Sequence, residues 1–198
     1  MEKLFNNVSR ETMQKLERYV SMLMVWNKSI NLVARCDVEE LWGRHVFDSM
    51  ELINHIDTQK NIVDVGSGGG LPAIVIAICM PSISVKMIES DQRKSIFLQE
   101  VVRELHLKNA SVLNVRCEKC SPLNAEIITA RACAPLYKMF EIASIHLAEN
   151  AKMLLLKGAK VDEEIIQARE KKWLFDCDLY DNRFSDGFVV QVKNLCRV

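Results

Sequence analysis

The segment from Asn61 to Pro72 constrains the fold of this chain more than any other feature, because it joins a short apolar run to a glycine-rich turn. Residues 61–65 are mostly apolar, which is typical of a buried strand. Glycines follow at positions 66, 68 and 70, where they permit positive φ angles and a close approach of a ligand to the backbone. The segment predicts a strand, a tight turn and a helix, and the turn is either a cofactor site or a connection that binds nothing.

Strands and helices are predicted to alternate after this turn. Strands are expected over residues 61–65, 84–89, 111–115, 126–130, 151–156, 173–180 and 187–193. Helices are expected over residues 71–80, 92–106, 136–147 and 162–172. Alternation of this kind predicts an α/β, Rossmann-like fold with a mostly parallel seven-stranded sheet. The last two strands are separated by a turn-rich loop, so they are expected to form a C-terminal antiparallel hairpin.

The first sixty residues have a helical pattern instead. Apolar side chains recur at helical spacing over residues 9–26, and Ser9 is the candidate N-cap. Asp37 begins a candidate capping box that ends at Glu40, and a further short helix is expected over residues 49–55. We therefore expect residues 1–58 to form a helical extension packed on the core, and residues 59–198 to form the cofactor-binding domain.

Two acidic residues indicate which cofactor the turn would hold. The G-x-G-x-x-G fingerprint of nicotinamide and flavin sites, counted from Gly66, needs a third glycine at position 71. That position is Leu71, so the fingerprint is not met. Asp64, at the end of the first strand, would repel a pyrophosphate but suits a cation. Glu89 follows the second strand, where it can accept hydrogen bonds from both ribose hydroxyls. S-adenosylmethionine carries a sulfonium and an ammonium and no phosphate, so the pattern favours it over NAD.

Composition and charge narrow the partners. The 198 residues fit one domain, and 26 Lys and Arg balance 26 Asp and Glu, so nucleic-acid binding would need a local basic face. No apolar stretch reaches the roughly eighteen residues of a membrane helix. The segment that begins at Met1 lacks the apolar centre of a signal peptide. We expect a cytoplasmic protein that acts without a membrane.

The seven cysteines fit reduced thiols that act as small apolar side chains. They are Cys36, Cys79, Cys117, Cys120, Cys133, Cys177 and Cys196. Cys117 and Cys120 form a C-x-x-C pair, but no second pair and no nearby histidines complete a zinc site, and the pair does not precede the first helix of a thioredoxin-like unit. We therefore expect neither a metal nor a redox centre.

Six short motifs carry a resemblance to a known family. They are Asn31-Leu-Val, Leu41-Trp-x-Arg-His45-x-x-Asp48-Ser49, the segment from Val63 to Pro72, Arg116-Cys-Glu118, Ala130-Arg-Ala132 and Lys157-Gly158. Together they resemble the RsmG (GidB) family of class I S-adenosylmethionine-dependent methyltransferases, which act on a guanine N7 in small-subunit ribosomal RNA. Many methyltransferases share the glycine turn, whereas Arg-His-x-x-Asp-Ser before it and Leu-Pro inside it are more selective. The resemblance covers residues 20–193.

The resemblance implies cofactor contacts at five positions. They are Gly66, Leu71, Cys117, Glu118 and Arg131. With the residues inferred from the turn itself, the expected cofactor site also includes Asp64, Gly68, Gly70 and Glu89. Guanine N7 keeps an in-plane lone pair at neutral pH, so its methylation needs no general base, and the chain shows no catalytic dyad near the turn. The expected reaction is therefore a direct in-line displacement that depends on positioning.

Four residues are candidates for a catalytic role. Arg131 either binds the cofactor carboxylate, fixes the guanine, or pairs with an acidic neighbour. His45 and Asp48 share a helix face and either close over the site or tie the helical extension to the sheet. Lys157 follows the fifth strand, where ligands bind in open α/β sheets, and either contacts RNA phosphate or faces water.

The expected partner is 16S ribosomal RNA or the small ribosomal subunit, bound by a monomer. The basic candidates for RNA contact are Lys28, Arg35, Arg44, Arg93, Lys94, Arg116, Lys119 and Lys160. Two alternatives stay open, namely a ribosome-associated module that binds S-adenosylmethionine without catalysis, and a methyltransferase with a protein or small-molecule acceptor. An NAD-dependent oxidoreductase is disfavoured by Asp64 and Leu71.

Overall fold

The computed structural model of this chain describes residues 9–131 and 134–198. The N-terminal segment considered above for a signal peptide lies outside these residues. So do Ala132, which ends the Ala-Arg-Ala motif, and Cys133.

Seven strands of the described chain form one sheet with the order β3-β2-β1-β4-β5-β7-β6. The strands are β1 Asn61–Val65, β2 Ser84–Ile88, β3 Ala110–Leu113, β4 Ala125–Arg131, β5 Leu147–Lys157, β6 Trp173–Asp181 and β7 Phe188–Arg197. Strands β1 to β5 pair in parallel, whereas β7 is antiparallel to both β5 and β6. The predicted α/β, Rossmann-like fold with a C-terminal antiparallel hairpin is confirmed.

The longer helices of the described chain lie where the sequence pattern predicted them, except that the predicted helix 136–147 ends at Ala143, and the short 3-10 turn Cys117–Lys119 was not predicted. The α-helical segments are α1 Arg10–Asn27, α2 Val38–Leu41, α3 Asp48–Glu51, α4 Ala73–Cys79, α5 Gln92–Glu104, α6 Leu136–Ala143 and α7 Val161–Glu170. The 3-10 segments are Leu52–His55, Cys117–Lys119 and Ser144–His146. Ser9 caps α1 by accepting a hydrogen bond from the Thr12 amide at 3.1 Å, as its sequence position predicted.

The second and third predicted helices are joined in the structure. Helix α2 begins after Asp37, whose carboxylate accepts the Glu40 amide at 2.8 Å. It continues through a π-helical segment, Trp42–Phe47, into α3 and then into a 3-10 turn that ends at His55. Segments of π-helix are rare, occur mostly as single turns inside α-helices and are frequent at functional sites. The sequence pattern does not reveal this segment, because six residues are too few for their apolar spacing to distinguish a π-helix from an α-helix.

The two faces of the sheet are covered by different helices. One face carries the side chain of Ile62 and is covered by four elements. They are α1, α4, α5 and the continuous helical run that joins α2 to α3. On the other face, α6 and α7 pack on the side chains represented by Val63. This split follows from the alternation of side chains along a strand. The described part of residues 1–58 therefore shares its core with α4 and α5, and a domain boundary at residue 58 stays a prediction.

Helix α1 contributes an apolar face to this core. Leu16, Tyr19, Val20 and Leu23 are buried at the helical spacing of three and four residues. Full burial of one large apolar side chain contributes about 1.5–3 kcal/mol. No helix in the described part of the chain is both long enough and apolar enough to cross a membrane.

Candidate active site

A cavity of about 540 Å³ lies at the carboxyl ends of β1, β2 and β4. Its lining consists of Leu32, Val33, Ala34, His45, Gly66, Ser67, Gly68, Gly69, Leu71, Glu89, Ser90, Lys94 and Arg131. Ligands of open α/β sheets bind at these strand ends. The predicted glycine turn therefore forms the floor of a site to which residues 32–34 and His45 of the helical extension also contribute.

The loop between β1 and α4 has the backbone geometry that its glycines permit. Gly66, Gly68 and Gly70 have φ angles of 70°, 54° and 90°. A Cβ atom on Gly70 would also lie 2.5 Å from Cγ1 of Ile74 and 3.0 Å from Cδ2 of Leu98. Glycine is required at position 70 for both reasons, although Gly70 does not line the cavity.

The amide groups of this loop donate to neighbouring protein atoms. The amides of Gly66 and Ser67 donate to the carbonyl oxygen of Ile88, at 2.9 and 3.1 Å. The amide of Gly68 donates to Oε2 of Glu89 at 2.7 Å. A dinucleotide site needs such amides to face its pyrophosphate. The hydrogen bonding of this loop thus fits a cofactor without phosphate, in agreement with the prediction made from Asp64 and Glu89.

Glu89 lies between the loop and helix α5. Its Oε1 accepts a hydrogen bond from the Asp91 amide at 2.7 Å, while Oε2 holds the Gly68 amide. Asp91 in turn caps α5. Each carboxylate oxygen can accept more than one hydrogen bond, so Glu89 retains acceptor capacity for ribose hydroxyls. Its position in the cavity lining fits the predicted role.

Asp64 is buried behind the cavity rather than in its lining. It lies opposite Thr129 on the neighbouring strand β4, and its Oδ1 accepts the Thr129 hydroxyl at 2.7 Å. Its Oδ2 is buried without a hydrogen-bond partner among the described residues. Burial raises the pKa of Asp64 to about 6, and the hydrogen bonds oppose that shift. Direct contact between Asp64 and the cofactor therefore stays a prediction.

Arg131 and His45 meet at the β4 side of the cavity. Nη2 of Arg131 donates to the carbonyl oxygen of Arg44 at 3.2 Å and to Nδ1 of His45. Nδ1 of His45 also lies 3.0 Å from the carbonyl oxygen of Arg44. Because a guanidinium can only donate and does not lose its proton, we assign Nδ1 as the acceptor of Arg131 and place the imidazole proton on Nε2. Burial and the charge of Arg131 lower the pKa of His45 to about 4. His45 is therefore neutral near pH 7.

The other guanidinium nitrogen of Arg131 has a different environment. Nη1 is buried and has no hydrogen-bond partner among the described residues. Burial lowers the pKa of Arg131, yet an arginine stays protonated in proteins, so Nη1 is a cationic donor without an acceptor. Such a donor is costly to bury, and a cofactor carboxylate would satisfy it. The residues present thus fit the amino-acid end of S-adenosylmethionine.

Asp48 is held by the hairpin loop and is not part of the cavity lining. Its carboxylate accepts a hydrogen bond from the Ser185 side chain, and burial raises its pKa while Arg131 opposes the shift. In the described chain, the structure thus pairs Asp48 with Ser185 and His45 with Arg131. The same loop contributes Arg183, which holds Glu51 through two hydrogen bonds of 2.8 and 3.0 Å to Oε2.

Three further predicted residues lie outside the cavity lining. Nζ of Lys157 donates to Oε2 of Glu164 at 2.8 Å, and its side chain is only 7% exposed. Cys117 and Glu118 form a 3-10 turn after β3. The Cys117 side chain is buried and contacts the Ile142 carbonyl oxygen at 3.2 Å. The cofactor role of this turn and the RNA role of Lys157 stay predictions.

The predicted basic residues differ in their surroundings. Lys94 lines the cavity, whereas Arg44 pairs with Glu40 at 2.6 Å on the surface. Across residues 9–131 and 134–198, no three His, Cys, Asp or Glu side chains are grouped as metal ligands.

Tyr19 belongs to the site but was not predicted from the sequence. Its side chain is fully buried, and its hydroxyl donates to the carbonyl oxygen of Gly69 at 2.7 Å. Tyr19 occupies the apolar face of α1, where a tyrosine hydroxyl must find an acceptor if it is buried. The available signal was a tyrosine at a core-facing position of the helical pattern. The sequence could not indicate that its acceptor lies in the glycine loop.

The strand order and the site define the class of protein. The antiparallel strand β7 is inserted beside β5, a glycine loop follows β1 and an acidic residue follows β2. These features together define a class I S-adenosylmethionine-dependent methyltransferase. A solved structure of a SAM dependent methyltransferase from Aquifex aeolicus matches with a TM-score of 0.60 and 16% identity, over 88% of this chain and 97% of that one.

The family is identified by sequence similarity. The GidB family model, described as rRNA small subunit methyltransferase G, matches residues 12–181. The chain is 42% identical to the ribosomal RNA small subunit methyltransferase G of Gluconobacter oxydans, over 96% of this chain and 98% of the relative. It is 38% identical to the protein of the same name from Paracoccus denitrificans, with the same coverage. The chain belongs to the GidB family.

Proposed function

We propose that this protein transfers a methyl group from S-adenosylmethionine to N7 of a specific guanine in 16S ribosomal RNA by direct in-line displacement. Membership of the GidB family supports methylation of small-subunit ribosomal RNA. The choice of N7 rests on the resemblance of the sequence motifs to the RsmG (GidB) family, and one observation supports it, that Nδ1 of His45 in the cavity lining is occupied by Arg131. A site that must deprotonate its acceptor needs a base, whereas guanine N7 presents a lone pair.

The residues of the cavity divide between holding the cofactor and excluding water. Glu89 offers carboxylate oxygens to the ribose hydroxyls, and Nη1 of Arg131 offers a cationic donor to the carboxylate. Leu71 supplies apolar surface between these two ends, and the glycine loop lets the backbone approach the cofactor closely. Fixing both ends aligns the reacting atoms, which is the main source of rate enhancement when no proton has to move.

The bound cofactor supplies an electrophilic methyl group on a sulfonium. The N7–methyl bond forms as the sulfur–methyl bond breaks, its electron pair stays on sulfur, and the positive charge passes to the purine. Neutral His45 adds no positive charge beside the acceptor. The cation of Arg131 is balanced by the cofactor carboxylate and by nearby Asp48.

Ribosomal RNA would approach the open side of the cavity, next to Lys94. The formal net charge is zero, so phosphate contacts must come from local basic side chains, and binding should weaken with salt. The target guanine has to leave its stack to place N7 at the methyl group. We propose a monomer that acts in the cytoplasm, where it meets the small subunit.

Methyl transfer to separated ribosomal components tests this function. Small subunits, their deproteinised RNA and large subunits, all from cells that lack this gene, are incubated with methyl-labelled S-adenosylmethionine and the protein. Label is expected in the small-subunit RNA and not in large subunits. Transfer only to protein or to a small molecule would contradict the proposal. Cofactor binding without transfer to any RNA would favour the non-catalytic module.

A further inference from the structure

We propose that Nε2–H of His45 donates a hydrogen bond to O6 of the acceptor guanine, which makes His45 a specificity-determining residue for guanine over adenine. The inference deepens the proposed function and rests on it. It follows from the place of His45 in the cavity, from its hydrogen bonding and from the chemistry of the guanine edge.

The strand order and the contact with Arg131 place His45 at the side of the cavity opposite Glu89. Glu89 follows β2, Arg131 ends β4, and β1 lies between these two strands. With the ribose at Glu89, the rest of the cofactor extends across the loop after β1 towards β4. The methyl group then lies between the ribose and the carboxylate, over the loop after β1, and His45 lines the same cavity on its β4 side, in contact with Arg131.

The hydrogen bonding of His45 leaves one group for a ligand. Nδ1 contacts both Nη2 of Arg131 and, at 3.0 Å, the carbonyl oxygen of Arg44, to which Nη2 also donates. A guanidinium keeps its protons and can only donate, so we assign Nδ1 as the acceptor and place the proton of the neutral imidazole on Nε2. No protein partner of Nε2 is found in residues 9–131 and 134–198, and the half-buried ring lines the cavity. His45 therefore presents a hydrogen-bond donor and no acceptor to whatever enters.

The charged groups around the ring keep this state. Arg131 and Arg44 disfavour a second proton on His45, while Glu40 weakly favours one, and burial acts in the same direction as the two arginines. Asp48, on the next helical segment, is bonded to Ser185 of the hairpin loop. A neutral donor suits a purine that becomes positively charged, because a cation in its place would oppose that charge.

Guanine and adenine differ in the group next to N7. Guanine has the acceptor O6 there, whereas adenine has the amino donor N6. A donor from His45 binds O6 and leaves the N7 lone pair for the methyl group. With adenine, two donors would face each other and one would be unsatisfied, which rejects that base.

Base analogues at the target position test the proposal directly. The acceptor RNA is prepared with guanine, with inosine, which keeps O6, or with 2-aminopurine, which lacks it, and kcat/KM for methyl transfer is measured. The wild-type protein should use inosine like guanine and lose about tenfold to hundredfold with 2-aminopurine. Equal rates with guanine and 2-aminopurine would overturn the proposal.

Two substitutions separate the two nitrogens of the ring. His45→Asn keeps an acceptor near Nδ1 for Arg131 but no donor as far out as Nε2, so it should lose discrimination against 2-aminopurine while KM for S-adenosylmethionine is unchanged. His45→Gln places a donor near Nε2 and should keep the discrimination. A purely structural role predicts equal loss on every acceptor in both variants, and that result would overturn the proposal.

The outcomes also separate this inference from the proposed function. If the wild-type protein methylated no guanine N7, both the proposed function and the role of His45 would be refuted. Methylation of N7 with no dependence on O6 would remove only the role of His45. Thermal unfolding and S-adenosylmethionine binding report whether each variant is folded, and the analogue series on the wild-type protein decides the question if a variant is not.

Discussion

The hydroxyl of Tyr19 donates a hydrogen bond of 2.7 Å to the carbonyl oxygen of Gly69, which ties helix α1 to the cofactor loop. Both groups are buried, and burial raises the pKa of Tyr19, so the hydroxyl stays protonated and remains a donor. The bond couples the conformation of the loop to the packing of a helix that precedes it by about fifty residues. The helical extension is therefore expected to affect cofactor binding.

Tyr19→Phe should destabilise the protein and weaken cofactor binding together. The substitution leaves the buried carbonyl of Gly69 without its donor, at a cost of about 1–3 kcal/mol. Urea denaturation measures the free energy of unfolding, and titration calorimetry measures the affinity for S-adenosylmethionine. Tyr137→Phe is the matched control on helix α6, where both quantities should stay near the wild-type values. Unchanged cofactor affinity in Tyr19→Phe would refute the coupling.

Gly70→Ala should be severely destabilising, and Gly43→Ala should not. An alanine at position 70 would have an unfavourable φ of 90° and a Cβ atom 2.5 Å from Ile74, so a loss of about 2–4 kcal/mol is expected. A Cβ atom on Gly43 meets no atom within 4 Å, and Gly43 lies in a helical run. Its replacement should be neutral or stabilise by up to about 1 kcal/mol. Thermal and urea unfolding of the two variants measure the contrast.

Asp64 should make the protein less stable as the pH rises from about 4 to 6. Its pKa in the folded state is about 6 because of burial, above its ordinary value of 3.8. An acid with a raised pKa binds its proton more tightly in the folded state, so its contribution is complete below pH 4 and is lost as the pH rises through 6. The loss amounts to about 2–3 kcal/mol.

Asp64→Asn should remove this pH dependence. The free energy of unfolding of the variant minus that of the wild type should increase from pH 4 to pH 7. Urea denaturation at several pH values measures this difference. Thr129→Val, which removes a donor to the carboxylate, should raise the pKa further and extend the loss to higher pH. If the free energy of unfolding of Asp64→Asn differed from that of the wild type by the same amount at every pH, the pKa of Asp64 would not be raised.

His45 should remain neutral far below the pH at which a histidine ordinarily gains a proton. Its pKa of about 4 reflects burial and the neighbouring Arg131. Because the pKa is lowered on folding, the contribution of His45 to stability is present above pH 6.5 and is lost as the pH falls towards 4. Nitrogen-15 NMR of the imidazole, assigned with His45→Asn, should show a proton on Nε2 at pH 6. A charged ring at that pH would be contrary to expectation.

Arg183→Gln should cost more stability than Arg103→Gln. Arg183 holds Glu51, whose side chain is 8% exposed, whereas Arg103 pairs with Glu100 on the open surface. Removal of Arg183 leaves a buried carboxylate without its partner, at about 1–3 kcal/mol. The exposed pair should contribute less than about 1 kcal/mol. Urea denaturation of both variants measures the difference, and equal losses would mean that the hairpin loop is not held by this pair.

Much of the fold was predictable because it depends on local pattern. The bounds of β1 were predicted correctly, since a central strand buried on both faces reads as a mostly apolar run, interrupted here only by Asp64, that ends at a glycine. Strand β5 begins at Leu147, four residues before its predicted start, because its first residues include exposed polar ones that do not alternate. The local patterns of strand, cap and turn thus sufficed for the architecture.

The site was less predictable because its contacts are distant in sequence. The glycine turn and Glu89 could be placed from spacing alone. The partners of Arg131, Lys157 and Tyr19 could not, because each depends on how two remote elements pack. The position of Asp64 at a strand end could be read from the sequence, but its hydrogen bond to the hydroxyl of Thr129 on the neighbouring strand could not.

The measurement that tests the central claim most directly is the identity of the methylated nucleoside. Small-subunit RNA from cells lacking this gene is methylated by the purified protein, digested to nucleosides and analysed by chromatography and mass spectrometry, and the position is mapped by cleavage at 7-methylguanosine. The account predicts 7-methylguanosine at one position of 16S ribosomal RNA. A methyl group on any other base atom, on a ribose or on a protein would contradict it.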